Sequence, residues 1–134
     1  MILGVGIDLV DIARVEQMLS RRGERAVDRL FTPGEAAYAR ARAQPARHFA
    51  ARFAAKEAAF KALAGDDLAR TIGWREIEVV VEDDGRPSLT LHGAAAQRAA
   101  ALRVRRALVS LTHCHGVAGA VVVLEGDFGP SGLA

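Results

Sequence analysis

Two lysines and a glutamate stand together in "FAAKEAAFKAL", Phe53 to Leu63, and these are the only lysines in the chain. Every other Lys/Arg position is arginine, which sets Lys56 and Lys61 apart. Glu57 and Lys61 are four residues apart, so on a helix they share a face and can pair. Taken alone, that is surface decoration. Lys56, between Phe53 and Phe60, reads as a cation snorkelling from the core edge. A second carboxylate opens another reading. Asp8 ends an apolar run that begins at Ile2, where it is either a turn or capping residue or a ligand. Asp8 and Glu57, from separate elements, would make a hard oxygen site. Magnesium suits such a pair, because it takes few protein ligands and fills its shell with water and phosphate oxygens. The ion draws charge off a phosphoryl group under attack. Lys61 would then be a mobile point charge beside phosphate, a role arginine does not imitate.

His113 closes the stretch "VSLTH", with Cys114 and His115 after it. "HCH" invites a zinc reading, but the other histidines, His48 and His92, do not supply partners at zinc spacing. His113 is either a donor or cation beside phosphate or a hydrogen-bonded structural residue. One cysteine excludes an internal disulfide, and Cys114 reads as structural. "GVGID" lacks the third glycine of a dinucleotide fingerprint. No P-loop, nucleophile elbow or CxxC occurs.

The elements that must position these groups follow from periodicity. "ILGVGIDLV" reads as a strand. Asp11 caps a helix carrying Ile12, Val15, Met18 and Leu19, which Gly23 stops. "TPGE" opens a second helix, with Thr32 as cap and Glu35 three residues on, and Pro45 ends it. His48 to Leu63 is the strongest helix, its apolar stripe made by Phe49, Phe53, Phe60 and Leu63. "WREIEVVVED" and "SLTLHG" form a hairpin about "DDGRP". Gly93 to Arg105 is helical, and "RALVSLTH" and "VAGAVVVLE" are strands joined by "CHG". The order β-α-α-α-β-β-α-β-β gives an α+β fold. A domain over residues 1–126 and a flexible tail over 127–134 are expected.

The chain has 134 residues, 51% of them hydrophobic, which is enough for one core and argues against disorder. Much of that fraction is alanine, so association with further copies is a reasonable expectation. The formal charge of +2 does not call for nucleic-acid binding. Charge is uneven, however: five arginines between Arg14 and Arg29 face only Glu16, Glu24 and Asp28. That patch is either a solvated helix face or a surface for an acidic partner. "MILGVGIDLV" has no basic leader and "VAGAVVVL" is too short to span a bilayer, so a cytoplasmic protein with no membrane contact is expected.

Four segments together resemble one family, the holo-acyl-carrier-protein synthases among the small phosphopantetheinyl transferases. "GVGIDLVDIARVE" is similar to its opening motif and "RFAAKEAAFKAL" to its central signature. "DDGRPSLTLHG" is similar to its Gly-x-Pro hairpin and "VSLTHCHGVAGAVVV" to its closing strand pair; a fifth segment, "LFTPGEAAY", also resembles its second helix. The resemblance implies an antiparallel sheet packed on helices, one of them long and central. It implies transfer of 4'-phosphopantetheine from coenzyme A to a serine hydroxyl of apo-acyl carrier protein. Asp8 and Glu57 fall on the family's magnesium ligands and Lys61 on its phosphate-contacting lysine. Glu57, with Lys61, is then the catalytic candidate. Arg52 and His113 match residues lining the coenzyme pocket, and Gly85 and Pro87 fall on the loop beside the nucleotide. Arg14 matches a basic residue facing the carrier protein, and helical spacing adds Arg21 and Arg25. The family is typically trimeric, with coenzyme sites at subunit interfaces, so a homotrimer is expected. The chain departs from the family in "LAGDDLARTIGW", where Asp66 and Asp67 are rival metal ligands, and at Val117, where an aromatic residue is usual. Two other functions stay open: a related transferase for polyketide or multienzyme carriers, and a noncatalytic module that binds an acidic protein through Arg14, Arg21 and Arg25.

Overall fold

Strand β1 (Ile2–Asp11) pairs antiparallel with β5 (Val117–Gly126), and β5 pairs antiparallel with β4 (Val104–Cys114), giving the order β1-β5-β4. The computed structural model describes residues 1–127. Alternation assigns the faces of this sheet. Ala118, Ala120, Val122 and Leu124 of the central strand are buried beneath helix α4 (Pro45–Leu63). The turn between β4 and β5 has His115 and Gly116 at φ of 48° and 85°. Two successive positive φ values suit a tight hairpin, because they match the twist of the flanking strands. Strands β2 (Ile77–Val81) and β3 (Pro87–Leu91) form a separate antiparallel hairpin, as expected from "DDGRP". Helix α5 (Gly93–Ala101) leads from it into β4.

Helix α1 (Ile12–Arg22) begins and ends where the sequence places it. The Asp11 carboxylate accepts from Ala13 N, and Gly23 takes a φ of 59°. A further helix, α2 (Glu24–Leu30), follows at once, which the periodicity does not predict. At seven residues it is too short for periodicity to identify; burial of Ala26, Val27 and Leu30 holds it in place. Helix α3 (Pro33–Arg40) has the expected capping box between Thr32 and Glu35. It ends before Pro45, which starts α4 instead of stopping α3. Proline suits a first helical turn, whose N–H groups have no intrahelical acceptor.

The expected phenylalanine stripe on α4 is divided. Phe49 meets Phe31 at a ring separation of 4.9 Å, whereas Phe53 and Phe60 flank Trp74 at 5.1 and 4.9 Å. The helix is buried nearly all round, and its alanines let neighbouring backbones come close.

Lys56 does not snorkel. It is fully buried, with Nζ 2.8 Å from Glu35 Oε1 and donating also to the Trp74 carbonyl at 2.9 Å and the Ile77 carbonyl. Glu35 in turn accepts from Thr32 N at 2.9 Å and Val79 N at 2.8 Å. Burial pushes the Lys56 ammonium pKa down, and the Glu35 carboxylate opposes that. An ammonium has three donors, and here each has an acceptor. The network fastens α3 and α4 to β2, so this lysine is a structural bolt.

Gly126 lies within β5 and donates to the Met1 carbonyl at 3.0 Å, and Asp127 pairs with Arg105 at 2.9 Å. The rest of the expected tail lies outside the described residues. No helix among those described is long and apolar enough to cross a membrane.

Candidate active site

Asp8 lies within β1, not at a turn, and is aimed at α4. Gly4, Gly6 and Asp8 alternate along the strand and therefore share one face. A Cβ on Gly4 would stand 2.4 Å from the Ala62 carbonyl oxygen, and one on Gly6 would be closer still to that of Ala58. The opening glycines thus let the strand lie directly on the α4 backbone. That brings Asp8 beside the turn of α4 carrying Glu57 and Lys61.

Asp8 and Glu57 line one cleft of about 660 Å³, together with Arg14, Met18, Arg21 and Phe53. Burial pushes the Glu57 carboxyl up from its usual range, the Asp8 charge adds to that, and Lys61 partly offsets it. Lys61 does not make the expected i,i+4 pair with Glu57. Its Nζ donates to the Ile7 carbonyl at 2.9 Å and to Asp8 Oδ1 at 3.2 Å. The cleft therefore offers two carboxylates, with the exposed Lys61 ammonium paired to Asp8 beside it. Two hard oxygen donors facing shared solvent fit a magnesium ion that keeps most of its shell for water and phosphate. Among the described residues no group of three or more His, Cys, Asp or Glu side chains is placed to hold a metal. Asp66 and Asp67 do not compete for this cleft: they border a separate depression beside Phe60. Asp66 accepts from Ala69 N at 2.8 Å and from Arg98 Nη1 at 3.0 Å, which closes the end of α4.

The coenzyme-pocket candidates lie elsewhere on the same chain. Arg52, Gly85, Pro87 and His113 line a groove of about 900 Å³ between α4, the β2–β3 hairpin and β4. Arg47, His48 and Arg86 share it, and the motifs single out none of these three. Burial and the nearby charges of Arg52, Arg42, Arg47 and His113 push the His48 pKa down. Gly85 holds a φ of 88° in the turn, a conformation that favours glycine. A single chain therefore does not bring the two carboxylates and the groove residues together in one pocket.

The carrier-surface candidates do cluster. Arg14 and Arg21 border the carboxylate cleft, and Arg21 and Arg25 border an adjoining one of about 940 Å³ with Arg22, Arg29, Phe53 and Trp74. Sequence reasoning does not pick out Arg22 and Arg29 singly, although both belong to the arginine-rich run; helix α2 carries Arg29 into the patch.

The family model described as the 4'-phosphopantetheinyl transferase superfamily matches residues 4–120. The chain is 46% identical to the holo-[acyl-carrier-protein] synthase of Koribacter versatilis, over 93% of this chain and 99% of that one. Its fold is similar to that of the Neisseria meningitidis holo-[acyl-carrier-protein] synthase, with a TM-score of 0.81 and 27% identity, covering 93% of this chain and 99% of the other. The Helicobacter pylori synthase solved in complex with coenzyme A gives a TM-score of 0.76 and 27% identity, covering 90% and 99% of the respective chains. Sequence, fold and the converging pair of acids lead to one conclusion: the chain belongs to the 4'-phosphopantetheinyl transferase superfamily.

Proposed function

We propose that the chain is a magnesium-dependent holo-acyl-carrier-protein synthase. It transfers 4'-phosphopantetheine from coenzyme A to a serine hydroxyl of apo-acyl carrier protein and releases adenosine 3',5'-bisphosphate. The observation that carries this reading is the convergence of Asp8 and Glu57 on one cleft beside Lys61. Both acids would hold the ion, which when bound supplies positive charge to the diphosphate. The serine oxygen forms a bond to the β-phosphorus, and the bond from that phosphorus to the bridging oxygen breaks. The departing bisphosphate keeps the electron pair. Lys61 Nζ, on a flexible stem at the cleft edge, offsets charge on the phosphates. The Glu57 carboxylate takes the serine proton, directly or through one water. Arg52, His113 and the Gly85–Pro87 turn bind the nucleotide end, and Arg14, Arg21 and Arg25 receive the acidic carrier.

A homotrimer with sites at its subunit interfaces accounts for the separation of cleft and groove within one chain. Support comes from the outer face of the three-stranded sheet. Val5, Ile7 and Leu9 of β1 are 57%, 63% and 71% exposed, and Leu108 of β4 adds to them across the Val5–Val123–Leu108 register. An apolar face this continuous is costly in water and suits burial against further copies.

The direct test is mass spectrometry of an apo-acyl carrier protein incubated with the chain, coenzyme A and magnesium. A mass gain of one phosphopantetheine supports the reading, and an unchanged carrier refutes it. Apo-carriers from polyketide and multienzyme systems, run in parallel, test the neighbouring specificity: faster transfer to those identifies the related transferase.

A further inference from the structure

Tyr38 of α3 lies between two cations. The Arg42 guanidinium carbon is 3.9 Å from the centre of its ring, and the Arg52 guanidinium carbon is 4.2 Å. Arg52 is only 3% exposed, yet it borders the groove expected to take coenzyme A. Its Nη1 donates to the His48 carbonyl at 3.3 Å, while its buried Nε has no hydrogen-bond partner among the described residues. A buried donor without an acceptor is costly, and such groups in folded proteins call for an explanation. Two guanidinium groups this close also repel, and the ring between them is what makes the arrangement tolerable.

We propose that Tyr38 is a positioning residue for donor binding: its ring holds the Arg52 guanidinium in the groove wall, where a phosphate of the incoming nucleotide would meet it. The proposal rests on the function proposed above. Tyr38 needs no contact with the reacting atoms. It acts by fixing the plane of Arg52, so that the ligand meets a preset donor and little side-chain entropy is lost on binding. Arg47, Arg86 and His113 in the same groove are donors for an anion; of the acids on the hairpin side, Asp84 is engaged by Arg86 at 2.7 Å and Glu82 accepts from Ser88 Oγ at 2.7 Å, while Asp83 also lines the groove. Burial disfavours the Arg52 cation.

The test is calorimetric titration of coenzyme A onto the full chain and its Tyr38 variants, with steady-state kinetics alongside. Tyr38→Leu removes the ring and is expected to weaken coenzyme binding about tenfold, with the KM for coenzyme A rising in step and kcat held. Tyr38→Phe keeps both ring faces and is expected to restore the affinity. If Tyr38→Leu melts earlier but binds coenzyme A as the wild type does, the ring is only structural and the proposal is overturned. Loss of affinity in Tyr38→Phe equal to that in Tyr38→Leu also overturns it, since the hydroxyl would then be responsible. Should the leucine variant not fold, Tyr38→Gln carries the same expectation at this half-buried position. A wild-type chain that takes up no coenzyme A refutes the proposed function as well, which separates that failure from this one.

Discussion

Gly6 and Ala58 meet backbone to backbone: a Cβ on Gly6 would stand 1.7 Å from the Ala58 carbonyl oxygen. That approach sets the distance between the strand bearing Asp8 and the helix bearing Glu57. Gly6→Ala must push β1 away from α4, and the overpacking is expected to cost about 1–3 kcal/mol of stability. Because the displaced strand carries Asp8, activity should fall further than stability accounts for. Urea unfolding and transfer rates on the same preparation check both parts.

Lys56 and Glu35 are both fully buried and pair at 2.8 Å. Removing either one leaves its partner charged and unmatched. Lys56→Met and Glu35→Gln are each expected to destabilise the chain by about 3–5 kcal/mol, while the double variant should lose less than the sum of the two. Chemical denaturation of all four proteins measures this coupling. The prediction separates Lys56 from Lys61, whose replacement by alanine should leave stability close to the wild type and slow transfer.

Arg21 borders two clefts, and Arg25 borders the second of them. Reversing charge at either position is expected to raise the KM for the carrier about tenfold with little change in kcat, because exposed charges act mainly on encounter. The effect should shrink as salt is added, since about 10 Å of water screens such charges at 0.1 M ionic strength. A rise in the KM for coenzyme A in its place would count against a carrier-facing patch.

The groove of one protomer and the carboxylate cleft of another would form each complete site in the proposed trimer. Glu57→Gln and His113→Ala would then damage opposite halves. Unfolding the two variants together and refolding them as a mixture should give mixed trimers with roughly a quarter of wild-type sites intact, although each variant alone is impaired. Measured transfer no higher than the average of the two separate variants would contradict interfacial sites.

Much of the site is legible in the sequence because its residues are chemically conspicuous. A carboxylate in an apolar strand and two lysines among arginines stand out by residue type alone. The capping box at Thr32 and Glu35 and the β2–β3 hairpin are equally plain, since local chemistry defines them. Lys56 is harder to read because its partner, Glu35, is distant in sequence, and burial of such a pair is a property of the packed fold. The expected Glu57–Lys61 pair fails for a related reason: helical spacing offers a near partner, and strand β1 supplies another. Helix α2 is held by tertiary burial, and the Pro45 boundary turns on whether a proline stops one helix or starts the next. The approach of Arg52 to the Tyr38 ring joins α3 to α4 and leaves no signature in either segment.

The proposed transfer depends most on one divalent ion held jointly by β1 and α4. Manganese, with magnesium's preference for oxygen donors, makes that ion visible by electron paramagnetic resonance. Titration of the wild-type chain with manganese in the presence of coenzyme A should show one bound ion per protomer. Asp8→Asn and Glu57→Gln should each weaken that binding at least about tenfold while the circular dichroism spectrum is kept. Undiminished manganese binding in either folded variant would contradict the shared site.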